Sequence, residues 1–219
     1  MILHRQVEGD YDMDHIGAII LAAGLSKRMG QPKQLLPLGG KPLLRFSVEA
    51  AVTAGLKPVA LVVGENGNEL YKHIADLSDI EVVENIDYKS GMASSLKVGI
   101  QTLSGRANAV LVFLADQPFV PSMVIKEIVE NYNLLRREGV RIVQPEYNGT
   151  LGHPILFDED LFIEFENIQG DEGGKSIIKK NHSLLKIIPF ENSDWGLDVD
   201  TPEDLLKLNK IAPNYINTT

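Results

Sequence analysis

A short cationic segment near the start of the chain has residue types and spacing that suit the binding of phosphates. An apolar run begins at Ile16, breaks at Gly24 and continues into a small-residue loop that carries Lys27, Arg28 and Lys33. Arginine grips phosphate oxygens in pairs, whereas lysine supplies a compact positive charge. Backbone N–H groups just after the break are also suited to contact a polyphosphate. The segment therefore predicts a phosphate-binding loop.

The charge pattern around this loop supports the same interpretation. No Asp or Glu occurs from His15 to Val48, although acids make up about one residue in seven of the chain. The stretch holds five cations, which are Lys27, Arg28, Lys33, Lys41 and Arg45. The whole chain carries a net charge of −9, so this stretch is a local positive site on an acidic protein. We therefore expect an anion that is not part of the protein to bind near the loop. The alternative is a surface loop that is rich in lysine by chance.

Three aspartates are candidates for holding a metal ion. Asp116 follows the most apolar run of the chain, where a carboxylate faces a cleft and suits Mg²⁺ that bridges nucleotide phosphates. Capping of the turn before Pro118 is the alternative. Asp198 and Asp200 alternate on a segment that would place both on one face. One of them is expected to complete the site with Asp116, and the sequence leaves open which, or whether the segment only caps a helix.

Weaker candidates lie in three other loops. The segment Gly91-Met92-Ala93-Ser94-Ser95 begins a helix whose free N–H groups could approach a base or a phosphate, with ordinary capping by serine as the alternative. His153, between Gly152 and Pro154, could contact a substrate or be structural. Asp171 and Lys175 flank a glycine cluster and could reach a substrate or simply be solvated.

Several function classes are excluded by composition and spacing. The glycines of the loop do not match the spacing of a Walker A motif, and G-x-G-x-x-G is absent. The absence of cysteine excludes disulfides, thiolate catalysis and cysteine-bound metals. The acidic net charge argues against nucleic-acid or membrane-surface binding, and no apolar run approaches the roughly 20 residues that span a bilayer. We expect a cytoplasmic protein.

Strand and helix patterns alternate along most of the chain. This alternation predicts an α/β fold with three layers, Rossmann-like, in which a mostly parallel sheet has helices on both faces. In such folds ligands bind beyond the carboxyl ends of the strands, here Ala23-Gly24, Gly64-Glu65 and Ala115-Asp116-Gln117-Pro118. The strands are expected at 16–21, 58–63, 80–83, 109–114, 141–144, 155–157 and 184–189, and the helices at 42–55, 66–75, 91–103, 121–137, 175–180 and 205–211.

The chain is predicted to form one domain over residues 15–212. The polar segment 1–14 is expected to be a tail, within which Met13 could be the true start, and 213–219 a C-terminal tail.

Several motifs, taken in order, resemble one known family. The run L-A-A-G-L-S-K-R-M-G-Q-P-K, the later G-K-P-L-L, G-M-A-S-S-L, A-D-Q-P and G-H-P, and the final D-V-D-T-P-E-D are similar to those of nucleotidyltransferases with the sugar-nucleotide pyrophosphorylase fold. The combination most resembles the molybdenum cofactor cytidylyltransferases. Related guanylyltransferases carry a second glycine where this chain has Ala23, so the resemblance favours CTP over GTP.

The resemblance implies a nucleotide-diphospho-sugar transferase-like fold and transfer of CMP from Mg·CTP to molybdopterin that carries molybdenum, with release of pyrophosphate. It implies catalytic roles for Arg28, Lys33 and Asp116, and Mg²⁺ bound by Asp116 with Asp200 or Asp198. The implied nucleotide-binding residues are Leu21, Ala22, Ala23, Gly24, Ser26, Arg28, Lys33, Gly64, Ser94 and Ser95. The implied substrate-binding residues are Gly91, Gln117, His153, Asp171 and Lys175.

Three alternatives remain open at the level of sequence. The first is a transferase of the same fold that uses GTP, and the second is one that uses a sugar or polyol phosphate as acceptor. The third is a non-catalytic carrier of molybdenum cofactor. A molybdenum-dependent dehydrogenase that receives the product is a possible protein partner.

Overall fold

The computed structural model describes residues 16–26 and 28–216. The predicted tail at 1–14 and Lys27 lie outside the described residues. Ten strands and seven α-helices are found in the described part of the chain. The strands are β1 (Ile16–Leu21), β2 (Pro37–Leu38), β3 (Lys41–Pro42), β4 (Val59–Val63), β5 (Ile80–Glu84), β6 (Ala109–Leu114), β7 (Ile142–Tyr147), β8 (Thr150–Leu151), β9 (Ile155–Asp158) and β10 (Leu185–Phe190). The helices are α1 (Leu43–Thr53), α2 (Gly67–Lys72), α3 (Met92–Leu103), α4 (Ser122–Leu135), α5 (Lys175–Lys180), α6 (Pro202–Ile211) and α7 (Pro213–Ile216).

The main sheet follows the order β10-β7-β9-β6-β1-β4-β5, and β8 pairs with β7. The pairs β6–β1, β1–β4 and β4–β5 are parallel, and so is the pair β10–β7. Strand β9 runs antiparallel between β6 and β7. The sheet is therefore mostly parallel, as predicted, with one reversed strand inserted near its middle.

The buried side chains of β1 show that both faces of the sheet are covered. Ile16, Ala18 and Ile20 belong to a core cluster that includes the apolar side chains of α1 and α4. Ile19 points to the other face and packs in a cluster with α3 and α5. Period-two alternation in a strand produces two such faces, and the fully apolar sequence of β1 matches burial on both. The predicted three-layer fold is confirmed.

The predicted strands and helices are all present, with ends that differ by at most three residues. A nine-residue 3₁₀ helix over Glu159–Asn167 was not predicted, and it packs Leu161, Phe162 and Phe165 against the α3 side of the sheet. Helix α6 begins at Pro202 rather than at residue 205, because Thr201 and Asp204 form a reciprocal capping box.

The C-terminal helices cover the loop that follows β1. Leu208 of α6 and Ala212, which caps the C-terminus of that helix, pack with three other residues in a third apolar cluster, namely Leu36, Leu38 and Phe119. A short helix, α7, lies in the stretch 213–219 for which the sequence predicts a tail, and its Tyr215 stacks on Phe119 with ring centroids 4.7 Å apart. The boundaries of the domain stay a prediction. No helix in the described part of the chain is long and apolar enough to cross a membrane.

Candidate functional site

The main cleft lies where the carboxyl ends of β1 and β6 meet the N-terminus of α3. Its volume is about 500 Å³. Helix α3 lies close to β1 because Gly99 leaves no side chain there, and a Cβ at Gly99 would stand 2.6 Å from Ile19 Cγ2. The lining residues are Leu21, Ala23, Gly24, Leu25, Ser26, Arg28, Lys33, Gln34, Tyr88, Lys89, Ser90, Gly91, Met92, Ser95, Leu114, Ala115, Asp116, Asp171 and Asp200.

Two cations from near the start of the chain pair in this cleft with one carboxylate from its middle and one from near its end. Lys33 Nζ contacts Asp116 Oδ2 and lies 2.9 Å from Asp200 Oδ1. Arg28 Nη2 donates to Asp200 Oδ2 at 2.7 Å. We call Arg28, Lys33, Asp116 and Asp200 the cleft cluster. Its two positive and two negative groups compensate each other.

The pairing changes the acidity of its members. Burial alone would lower the pKa of Lys33, but the carboxylates of Asp116 and Asp200 raise it above its usual value. The hydrogen bond from Lys33 holds the pKa of Asp200 below its usual value. Partial burial and the charges of Asp116 and Asp200 raise the pKa of Asp198, so this third carboxyl lies close enough to interact with the cluster. Lys33 is therefore kept protonated, and Asp200 ionised.

The backbone of the loop leaves donors available beside this cluster. The N–H groups of Ala23, Gly24, Leu25 and Ser26 donate no hydrogen bond to any other described residue. The hydroxyl of Ser26 instead accepts from the backbone N–H of Lys33 at 3.0 Å, which ties the two halves of the loop together. Consecutive unpaired N–H groups form a concave site for an anion.

Two of the five cations of the acid-free segment are not part of the site. Arg45 forms a bidentate pair with Asp76, at 2.7 and 2.6 Å, and also binds Glu49. Lys41 binds Glu49 at 2.8 Å. Neither Lys41 nor Arg45 lines the cleft, and acids from α1 and from the turn after α2 pair with both, so these two cations lie outside the site. Lys27 lies outside the described residues.

The N-terminus of α3 is shaped by a buried asparagine and a distant loop. Asn85 Nδ2 donates to Ser94 Oγ at 2.8 Å and to Ser95 Oγ at 2.9 Å. Gly91 has a φ of +112°, which disfavours other residues, and a Cβ there would collide with the backbone of Gly170. Asp171 Oδ1 accepts from the N–H of Met92 at 3.2 Å.

The remaining sequence-predicted residues lie outside the lining of the main cleft. Ala22 and Gly64 line a neighbouring cavity of about 310 Å³ on the other side of the loop. Ser94 hydrogen-bonds to the carbonyl oxygen of Gly91, and Gln117 is buried and donates to the carbonyl oxygen of Gly196 at 3.3 Å.

His153 and Lys175 belong to a separate region around β7 and α5. Tyr147 Oη donates to the carbonyl oxygen of His153 at 2.7 Å. Burial, together with the charge of Lys175, lowers the pKa of His153 to about 4. The imidazole is therefore neutral at physiological pH. Lys175 begins α5 and is exposed.

Sequence reasoning missed several residues of the cleft. Gln34, Tyr88, Lys89 and Ser90 line it, and buried Asn85 supports it from behind. Tyr88 Oη also donates to Glu65 at 2.7 Å, which joins two strand ends. A signal was available for Gln34, which directly follows Lys33, and for Asn85, which directly follows β5.

The donor set of the cleft fits a divalent cation that keeps other ligands. No three of the described His, Asp and Glu side chains converge as a complete metal site. Asp116 and Asp200 nevertheless converge on one positive group, the ammonium of Lys33. Two carboxylates plus phosphate oxygens are the usual ligands of Mg²⁺ in nucleotide enzymes. The two aspartates can therefore hold such an ion once a phosphate ligand occupies Lys33.

Relatives of known name are similar along nearly the whole chain. Molybdenum cofactor cytidylyltransferase of Escherichia coli (strain K12) is 30% identical over 195 residues, which are 89% of this chain and 95% of that protein. Nicotine blue oxidoreductase of Paenarthrobacter nicotinovorans is 29% identical over 204 residues, which are 91% of this chain and 99% of that protein.

A solved structure and a family model complete the comparison. Rv0371c of Mycobacterium tuberculosis H37Rv has a TM-score of 0.74 and 28% identity, covering 90% of this chain and 98% of that one. A second structure of the same protein, with a TM-score of 0.71, 27% identity and coverage of 90% and 98%, is a complex with manganese. The model described as MobA-like NTP transferase domain matches residues 18–184, which include the loop, Asp116 and the N-terminus of α3. The resemblance to nucleotidyltransferases is thus confirmed, and the chain belongs to the MobA-like NTP transferase family.

Proposed function

We propose that this chain transfers CMP from Mg·CTP to the terminal phosphate of molybdopterin that carries molybdenum, with release of pyrophosphate. The product would be a molybdopterin cytosine dinucleotide. A molybdenum-dependent dehydrogenase in the cytoplasm would then receive it.

One observation carries the proposal: the cleft cluster is complementary to a metal-bound triphosphate. Arg28 and Lys33 supply the positive groups that phosphate oxygens need, and Asp116 and Asp200 supply the carboxylates that a metal needs. Both pairs lie beside a row of unpaired N–H groups in an open cleft. When Mg·CTP enters, Arg28 and Lys33 can exchange their carboxylate partners for phosphate oxygens, and the aspartates can exchange their cationic partners for the metal ion. Little charge is then left uncompensated.

The reaction needs positioning and charge neutralisation rather than a covalent nucleophile. An oxygen of the acceptor phosphate attacks the α-phosphorus in line, a new P–O bond forms, and the bond to the bridging oxygen of the β-phosphate breaks. The departing pyrophosphate keeps the electron pair of that bond. Arg28, which is largely exposed at the rim, would hold the pyrophosphate, and Lys33 would bind the charge that develops at the α-phosphate.

Different residues would bind the metal ion and select the base of the nucleotide. Asp116 and Asp200 would hold Mg²⁺, which polarises the reacting phosphates when it is bound. Asp198, whose raised pKa reflects its acidic neighbours, would support them without direct contact. Ala23 lines the cleft beside Gly24, and the Leu-Ala-Ala-Gly form of the loop supports CTP as the nucleotide.

The relatives support this reaction and also define its rivals. The similar protein of Escherichia coli is named a molybdenum cofactor cytidylyltransferase. Other relatives are named as a uridylyltransferase acting on glucose 1-phosphate and as an oxidoreductase acting on nicotine blue. The alternatives to test are GTP as the nucleotide, a sugar or polyol phosphate as acceptor, a redox reaction and a non-catalytic carrier.

A pyrophosphate-release assay separates these alternatives. The full chain is incubated with Mg²⁺ and each of CTP, GTP, ATP and UTP, with and without molybdenum-loaded molybdopterin, and with sugar phosphates in parallel. We expect release only with CTP and the pterin together, and none from Asp116→Ala under the same conditions.

Each other result points to one rival. A preference for GTP would refute the role assigned to Ala23, and release with a sugar phosphate would replace the acceptor. No release with any nucleotide, combined with tight pterin binding, would favour a carrier. Conversion of nicotine blue in the presence of an added reductant, without release of pyrophosphate, would favour the redox reaction.

A further inference from the structure

We propose that Gln34 is a positioning residue that sets the backbone orientation of the phosphate loop and fixes Lys33. The inference rests on the proposed nucleotide binding and deepens it, because it names the group that prepares the loop before the nucleotide arrives. Gln34 lies directly after Lys33, within the 3₁₀ turn Lys33–Leu35. Only 4% of its surface is exposed, so its polar atoms must find partners inside the protein.

Those partners are backbone atoms at the start of the loop. The carboxamide Nε2 of Gln34 donates to the carbonyl oxygen of Ala22 at 2.9 Å and to that of Gly24 at 3.2 Å. The two carbonyls belong to the segment in which the apolar strand turns into the cationic loop. One side chain thus holds two carbonyl groups of the turn on the same side.

The orientation of the N–H groups follows from peptide geometry. In a trans peptide the C=O and the N–H point in opposite directions. With the carbonyls of Ala22 and Gly24 directed at Gln34, the N–H groups of Ala23 and Leu25 point away from it. These N–H groups donate to no other described residue. They are therefore held ready for an acceptor from outside the protein, such as a phosphate oxygen.

The same side chain also connects the start of the loop to its catalytic lysine. Ser26 Oγ accepts from the N–H of Lys33 at 3.0 Å and lies 3.5 Å from Gln34 Oε1. Gln34 is covalently joined to Lys33, so fixing the carboxamide also limits where the ammonium can lie. Lys33 then meets Asp116 and Asp200 in a defined place.

Only a carboxamide of this length provides the required groups. Its NH₂ carries two donors for the two carbonyl oxygens, and its oxygen remains free to accept from Ser26. A glutamate would place a negative oxygen against two carbonyl oxygens. A methionine would fill a similar space without any donor.

The test compares Gln34→Met with a matched control, Gln144→Met. Gln144 is equally buried, at 6% exposure, and its Nε2 also donates to a carbonyl oxygen, that of Gly152 at 3.2 Å, but it lies on β7 away from the loop. We expect kcat/KM for Mg·CTP to fall about 100-fold in Gln34→Met, with a raised KM, because misplaced binding groups commonly cost that much. The control should lose thermal stability to a similar extent and keep its KM within about twofold.

Two results would overturn the inference. One is a Gln34→Met variant with the KM and kcat of the wild type, and the other is an equal rise of KM in Gln144→Met. Should Gln34→Met fail to fold, amide hydrogen exchange of the wild-type chain gives a second test. Saturating Mg·CTP should slow exchange at Ala23 and Leu25, and unchanged exchange at both would refute the assignment. Failure of the proposed function would show separately, as a wild-type chain that neither binds nor turns over any of the four nucleotides.

Discussion

Two ion-pair clusters at opposite ends of strand β6 use similar residues in different surroundings. The cleft cluster lies at the carboxyl ends of β1 and β6, where Lys33 and Asp116 are each 14% exposed and Arg28 is 66% exposed. The second cluster, which we call the Asp158 cluster, consists of Asp158, Tyr132, Arg136 and Arg141. Asp158 is 0% exposed and pairs with Ala109, the first residue of β6.

The contacts of the Asp158 cluster leave no place for a ligand on its carboxylate. Tyr132 Oη donates to Asp158 at 2.6 Å, Arg136 Nε lies 2.8 Å away, and the N–H of Asp160 donates at 2.9 Å. Burial and the Asp158 carboxylate raise the pKa of Tyr132. In the cleft cluster, by contrast, each charged group borders a cavity of about 500 Å³. The enclosed Asp158 cluster stabilises the fold, whereas the groups of the open cleft cluster can exchange their protein partners for a ligand.

The largest expected effect on activity comes from Asp116→Ala. In the proposed reaction this carboxylate faces the reacting phosphates, so its loss should lower the turnover rate at least 100-fold, which corresponds to about 3 kcal/mol. The free energy of unfolding should change little, since Lys33 keeps Asp200 as a partner. Steady-state kinetics and denaturant titration on the same samples measure both quantities. Wild-type rates in this variant would remove Asp116 from the site.

The converse is expected for Asp158→Ala. Removing a fully buried carboxylate leaves Arg136 and the hydroxyl of Tyr132 without their partner, and should lower the free energy of unfolding by about 3 kcal/mol. Molecules that remain folded at low temperature should keep the wild-type KM for Mg·CTP. A stable variant with an altered KM would contradict the separation of the two clusters.

A smaller effect is expected on metal binding in Lys33→Met. The ammonium of Lys33 lies between the two carboxylates that would hold the metal, so its removal should raise the affinity for Mn²⁺ without nucleotide about tenfold. Free Mn²⁺ can be followed by electron paramagnetic resonance during titration. Lys41→Met, which removes a cation outside the cleft, serves as the control and should bind Mn²⁺ as the wild type does. Unchanged or weaker affinity in Lys33→Met would indicate that the metal binds elsewhere.

The smallest effect is expected for Arg45→Gln. Arg45 is paired with Glu49 and Asp76 on the protein surface, away from the cleft. The KM for Mg·CTP should therefore stay within about twofold of the wild-type value. A tenfold rise would mean that the acid-free segment serves the nucleotide as a whole.

The sequence predicts those parts of the molecule that depend on local patterns. The apolar run of β1 and the break at Gly24 fix where the loop begins, and the apolar run before Asp116 places that carboxylate at a strand end. Both observations depend on neighbouring residues only. The antiparallel direction of β9 could not be predicted, because the apolar run at the start of Ile155–Asp158 indicates a strand but not its direction relative to its neighbours.

Contacts between distant residues could not be predicted in the same way. Lys33 and Asp200 are 167 positions apart, and nothing in the local sequence of either one names the other. Their position in the sequence groups Lys41 and Arg45 with the loop, but their partners Glu49 and Asp76 lie in α1 and beyond α2. In the sequence Gln34 is marked only by its position next to Lys33, and its role becomes visible only when Ala22 and Gly24 fold back onto it.

The proposed reaction moves the α-phosphate of CTP, together with its nucleoside, to the acceptor. The decisive measurement uses CTP labelled with ³²P at the α-position or at the γ-position, incubated with the full chain, Mg²⁺ and molybdenum-loaded molybdopterin. Transfer of CMP should place the α-label in a pterin dinucleotide and the γ-label in pyrophosphate, in equal amounts. Label from the γ-position on the pterin, or unchanged CTP beside a tightly bound pterin, would contradict it.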